Sequence, residues 1–139
     1  MATVNGTNYA KIIDPSSDNI LSGGLNGGRV RVAVDDYTFA GSASGTVVNI
    51  AKLPAGARVL KVEIITAALG TGVTLGIGYG LSGVEFLGQT AAATAGLLQS
   101  NLLGDYVVGT AANDEIITVT TGGASATGKI TTHVYYTTD

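Results

Sequence analysis

No cysteine and no tryptophan occur among the 139 residues, and histidine occurs once. The missing thiols exclude disulfides and thiolate metal sites, and leave the redox compartment open. A lone histidine, His133, excludes a histidine-rich zinc site. Charge is scarce as well: 12% of residues carry it, where about 25% is usual in soluble domains. Seven Lys and Arg stand against ten Asp and Glu, for a net charge of −3. Sequence-independent nucleic-acid binding needs a basic patch, and seven scattered cations do not make one. The opening Met-Ala-Thr-Val-Asn-Gly-Thr-Asn-Tyr has neither a basic start nor an apolar core, so no secretory signal is expected. Without that route the sequon Asn5-Gly6-Thr7 carries little weight. Residues 64–84 form an uncharged run of 21, long enough to span a bilayer as a helix. Six of them are glycine and the apolar positions alternate, which suits a helix poorly, so no membrane partner is expected.

What the chain does have is period two. Val59, Lys61 and Glu63 alternate against Leu60, Val62 and Ile64, after a turn at Pro54 to Gly56. From Val73, the residues Val73, Leu75, Ile77 and Tyr79 share one face, with Thr74, Gly76 and Gly78 on the other. The Gly-Thr-Gly bend between the two runs reads as the link of a connected β pair. Upstream, Val30, Val32 and Val34 alternate with Arg29, Arg31 and Ala33 up to an acidic stop at Asp35-Asp36. Residues 46–53, 84–87, 106–108, 115–121 and 129–137 complete a set of about eight short strands, with a turn at 122–128. Residues 89–103 suit either a short helix or a packed loop. Strand composition and spacing predict an all-β antiparallel sandwich, with Val32, Val62, Leu75, Ile77, Ile116 and Val134 in its core.

The segment Leu53-Pro54-Ala55-Gly56-Ala57-Arg58-Val59-Leu60, its strand, its Leu-Gly bend and its glycine-rich second strand resemble the jelly-roll decoration (cement) proteins of tailed-bacteriophage heads. The resemblance covers residues 53–79, and more loosely 28–38 and 85–95. It implies a jelly-roll fold and a structural role. Such a protein would coat and stabilise the outer surface of the head, bind the major capsid protein and neighbouring copies of itself, and be made in the bacterial host cytoplasm. Low charge on a small domain also argues for a covered surface, hence a homodimer or homotrimer. The alternative is a carbohydrate- or receptor-binding β-sandwich module of a phage fibre or secreted protein. Six Tyr, two Phe and no Trp supply few aromatic platforms for sugar.

Chemistry is thinly represented. Gly78-Tyr79-Gly80-Leu81-Ser82-Gly83 fits the dinucleotide pattern, but the Val84-Glu85-Phe86-Leu87 that follows reads as strand where a helix should open. His133 shares a face with Thr131 and Tyr135, opposite Ile130, Thr132, Val134 and Tyr136, and reads as a solvated or interface residue. The acids Asp35-Asp36 and Asp114-Glu115 sit at expected strand ends, and adjacent strand residues point to opposite faces, so neither doublet is a glycosidase pair. Asp14-Pro15-Ser16-Ser17-Asp18-Asn19 lacks calcium-loop spacing and reads as a turn. No enzyme activity, cofactor or metal is expected.

Residues 1–27 have no period and read as an extended N-terminal arm, with the jelly-roll domain at 28–139. The arm is too apolar for a disordered tail and too sparse for a core. Tyr9, Ile12, Ile13, Ile20, Leu21 and Leu25, with Arg29 and Arg31 at the start of the domain, are the expected contacts to capsid or neighbouring subunit.

Overall fold

A computed structural model describes residues 3–5, 10, 13, 29–79, 84–100, 106–108 and 115–138. Nine strands lie among them: β1 (Arg31–Ser42), β2 (Val47–Leu53), β3 (Ala57–Thr66), β4 (Thr74–Gly78), β5 (Leu87–Ala91), β6 (Gly96–Gln99), β7 (Tyr106–Val108), β8 (Glu115–Gly122) and β9 (Ala126–Thr137). One sheet runs β1-β9-β3-β6, with β7 also paired to β3, and the other runs β2-β8-β4-β5. Every pairing is antiparallel. β6 takes the Glu63–Thr66 half of β3 and β7 the Ala57–Val59 half, so the two fill one strand position. Eight positions in two four-membered layers, with the chain changing layer at every connection between positions except β4 to β5, make a jelly roll.

The core lies between the layers, where Phe39, Leu53, Val62, Ile64, Leu75, Ile77, Ile117, Ile130 and Val134 are buried. Four of the six expected core residues are there. Val32 and Ile116 are not; each is 46% exposed. In β8 the inner face belongs to Ile117, Val119 and Thr121, so Ile116 points outward with Thr118 and Thr120. The alternation of Val119 was the available signal.

The pair expected over residues 53–79 is divided between layers: β3 belongs to the five-stranded sheet and β4 to the other. The link crosses the end of the sandwich. Ala67 N–H donates to Lys129 O (3.0 Å) in one sheet, and Leu69 N–H donates to Ala92 O (3.1 Å) beyond the last strand of the other. Leu69 is buried there and plugs the open end of the core. Alternation marks a buried face but does not say which sheet owns it.

β3 also breaks step. Its register against β9 shifts between Val59 and Lys61, so Val59 and Val62 both face inward while Leu60 is exposed. A one-residue bulge explains why strict period two fails at that point. Three further boundaries differ from expectation. β1 continues through Asp35-Asp36, the strand expected at 84–87 becomes β5, and the 89–103 region contains the end of β5 and all of β6, with residues 101–103 outside the described set.

Candidate contact surface

The outward face of the five-stranded sheet carries a cluster of titratable side chains. Register across β1, β9, β3 and β6 sets up rows of neighbours: Val34–His133–Glu63–Gln99, Val32–Tyr135–Lys61, and Asp36–Thr131–Ile65–Leu97. At their centre is the Glu63 carboxylate. Tyr135 Oη–H donates to Oε1 at 2.9 Å, and His133 Nδ1 lies 2.9 Å from the same oxygen. A carboxylate can only accept, so Nδ1 carries the proton of that bond. Lys61 Nζ sits 3.1 Å from Oε2 and 5.6 Å from the Tyr135 ring centroid. The His133 and Tyr135 rings meet edge to face at 6.3 Å.

These partners hold the Glu63 carboxyl far below its usual range, down to about 2. The His133 bond contributes most, then Tyr135, with Lys61 adding to both against a burial penalty. Glu63 in turn raises the Tyr135 phenol. Because the native carboxyl titrates lower than the unfolded one, its stabilisation is complete above the ordinary value of 4.5 and is lost as pH falls toward 2. Glu63→Gln should therefore flatten the acid limb of a plot of Tm against pH, followed by circular dichroism. It should also cost on the order of 1–3 kcal/mol at pH 7, the penalty for weakening the hydrogen bonds that the carboxylate accepts.

A carboxylate that orients an imidazole is also half of a nucleophilic site. The nearby hydroxyl, Tyr135, spends its proton on Glu63, so the imidazole activates no nucleophile through it. The cluster ties β3 to β9 through their side chains. His133 is thus tied to a carboxylate from a strand 70 residues earlier, where the sequence suggested a solvated or interface side chain. Nothing in the local sequence of either strand announces that pairing.

The remaining candidates resolve simply. Asp35 and Asp36 lie in mid-strand, not at a strand end. Asp35 Oδ1 accepts the Asp36 N–H at 2.8 Å, and Asp36 reaches Lys129 at 3.6 Å. Asp114 is outside the described residues. Glu85 Oε2 accepts the Tyr79 N–H at 2.8 Å, and Phe86 N–H donates to Ile77 O at 3.0 Å. Strand β5 then starts at Leu87, so the glycine pattern at 78–83 opens onto a strand and not a helix; residues 80–83 themselves are outside the described set. Among the described residues no group of three His, Cys, Asp or Glu could hold a metal, and no helix is long and apolar enough to cross a membrane. The acidic turn at 14–19 lies outside them.

Of the expected contact residues, Ile13, Arg29 and Arg31 are described, and all three are exposed. Tyr9, Ile12, Ile20, Leu21 and Leu25 fall outside the described residues. Sequence reasoning missed the apolar part of this surface: Val32 and Val34 on β1, and Ile65 and Leu97 at the far side, are exposed.

No family model and no curated protein matches the sequence. Solved structures do. A chain of the cyanophage Pam1 capsid asymmetric unit superposes with a TM-score of 0.68 at 24% identity, covering 81% of this chain and 86% of that one. A chain of the capsid of Ralstonia phage GP4 gives 0.63 at 17% identity, over 81% and 86%. One from the acid-stable capsid of Helicobacter pylori bacteriophage KHP30 gives 0.59 at 18%, over 78% and 87%. The resemblance to phage-head proteins carried by residues 53–79 is thus matched in three dimensions, and the chain has the jelly-roll fold found in these three phage capsids.

Proposed function

We propose that this protein is a structural component of a tailed-phage virion that decorates and stabilises the outer surface of the head. It binds the major capsid protein and neighbouring copies of itself, and it is made in the bacterial host cytoplasm. The observation that carries this reading is the likeness to three phage-capsid chains over 86–87% of their own length. The exposed apolar residues on the outward sheet face support it, because exposed apolar patches on small proteins usually mark interfaces. The tied-up Glu63 carboxylate fits a structural role better than a catalytic one.

Residues 1–27 act as the attachment arm and residues 28–139 as the domain that is attached. In this reading Ile12, Ile13, Ile20, Leu21 and Leu25 fill shallow grooves on a neighbour, and Tyr9 adds an aromatic anchor. Arg29 and Arg31 meet carboxylates of the neighbouring surface. The test is co-sedimentation with undecorated heads of the cognate phage. A chain shortened to residues 27–139, still all-β by circular dichroism, should bind at least about tenfold more weakly than the full chain. Equal binding would remove the arm from the mechanism, and failure of the full chain to bind would remove the decoration role.

A further inference from the structure

The first half of β1 carries its apolar residues away from the core. Val30, Val32 and Val34 are 54%, 46% and 63% exposed. Arg31, Ala33, Asp35 and Tyr37 take the inward side, opposite Tyr136, Val134, Thr132 and Ile130 of β9. Ala33 packs on the core, yet Arg31 and Asp35 stay exposed, so the second layer does not cover this half of the strand. β1 is also the end of its sheet, with no strand on its far edge among the described residues. The backbone there can be assigned. Thr132 Oγ1–H donates to Asp35 O at 3.3 Å, which places that carbonyl on the β9 side. The Asp36 N–H is taken by the Asp35 side chain and not by β9. Alternation then directs the N–H and C=O groups of Val32, Val34 and Asp36 out along the open edge. A long edge with apolar side chains and unpaired backbone is a template for another strand.

We propose that β1 pairs antiparallel with β1 of a second copy about a two-fold axis through Ala33, joining the two five-stranded sheets into one. This rests on the reading that the protein binds copies of itself, and it names the surface. In that register Val32 and the partner's Val34 exchange backbone hydrogen bonds, and Arg31 faces the partner's Asp35. The arginine–aspartate pair occurs twice by symmetry, at the non-hydrogen-bonded positions where side chains approach most closely. Asp35 gives up its cap on the Asp36 N–H to make it. Arg29 lies against the partner's Tyr37, a guanidinium-on-ring contact. Centring the axis on Val34 would set Arg31 against the partner's Tyr37 and Asp35 against the partner's Ala33, so the arginine–aspartate pair would be lost. Centring it on Val32 would set Arg31 against the partner's Ala33 and leave Asp35 facing the partner's Arg29, which precedes the strand. The Arg31–Asp35 pair, made twice within the strand, selects Ala33.

Sedimentation equilibrium on the purified full chain tests the pairing. Arg31→Glu and Asp35→Arg should each raise the dimer Kd at least about tenfold, because like charges then meet twice. The double variant Arg31→Glu with Asp35→Arg should return it to near the starting value. Arg31 and Asp35 are exposed, and circular dichroism checks that each variant is folded. The chain has no cysteine, so Ala33→Cys should give a covalent dimer on mild oxidation, and Val47→Cys on the edge strand β2 should not. A wild-type monomer at the highest attainable concentration overturns the proposal. So does a dimer indifferent to both charge reversals, or cross-linking at Ala33 no better than at Val47. These readouts use no heads: loss of head binding alone leaves the β1 pairing standing, and a head-binding protein whose self-association ignores Arg31 and Asp35 removes only the pairing.

Discussion

Gly123→Val should destabilise the protein by about 3–5 kcal/mol, from backbone strain plus overpacking. Gly123 sits in the bend between β8 and β9 with φ of 79°, a left-handed conformation that β-branched residues avoid. The second term is a collision. A Cβ at this position would run into the carbonyl oxygen of Gly72, in the link that crosses from β3 to β4. That link carries Leu69, whose C=O accepts the Thr127 N–H at 3.0 Å, so the two segments cannot part without opening the end of the core. Gly41 separates the contributions. Its φ is 76°, but a Cβ there meets nothing within 4 Å. Gly41→Ala should therefore cost only the conformational strain, about 1–2 kcal/mol. Chemical denaturation of the two variants beside wild type measures both. Equal losses would show that the approach of Gly72 is not what makes Gly123 necessary.

Phe39→Ala should cost about 3–5 kcal/mol through the cavity it leaves. Its effect should concentrate on β1. Phe39 is the one buried residue of that strand; every other position is exposed or half-buried. The ring lies opposite Gly128 of β9, which offers no side chain of its own, and Tyr37 packs edge-on against it at 5.0 Å. Removing the ring removes the pin that holds the edge strand to the core. Amide hydrogen exchange across residues 31–42 should rise more than across β3 or β8. A uniform rise over all strands would mean that β1 unfolds only with the whole domain.

The acidic doublet shows where local reading misleads. Asp35-Asp36 looks like a stop because charges are rarely buried. On an edge strand neither residue needs burial, and the carboxylates cap a backbone N–H and approach Lys129 instead. The strand therefore runs on to Ser42. The helix option at 89–103 failed for a related reason. Leu97 and Leu98 supply apolar side chains that suit a helix or a packed loop equally, but Ile65 pairs with Leu97 and Ile64 with Leu98, so they point to opposite faces of a strand that needs β3 to exist. The cluster around Glu63 was illegible altogether, since Glu63 and His133 meet only after β3 and β9 pair.

Local order settled where most strands lie. Period two is a property of neighbouring residues, and Pro and Gly limit φ at the turns whatever surrounds them, so β2, β3, β4, β7, β8 and β9 appear close to where their side chains alternate. Tertiary structure decided which side of each alternation is the inside, and which layer each strand joins. β1 is the sharpest case: its valines form the more apolar side, yet Ala33 and Phe39 face the core. A strand's own sequence distinguishes its two faces, but the face that is buried depends on the register it shares with β9 and on how far the opposite layer reaches. Those are contacts between distant segments, and no local preference encodes them.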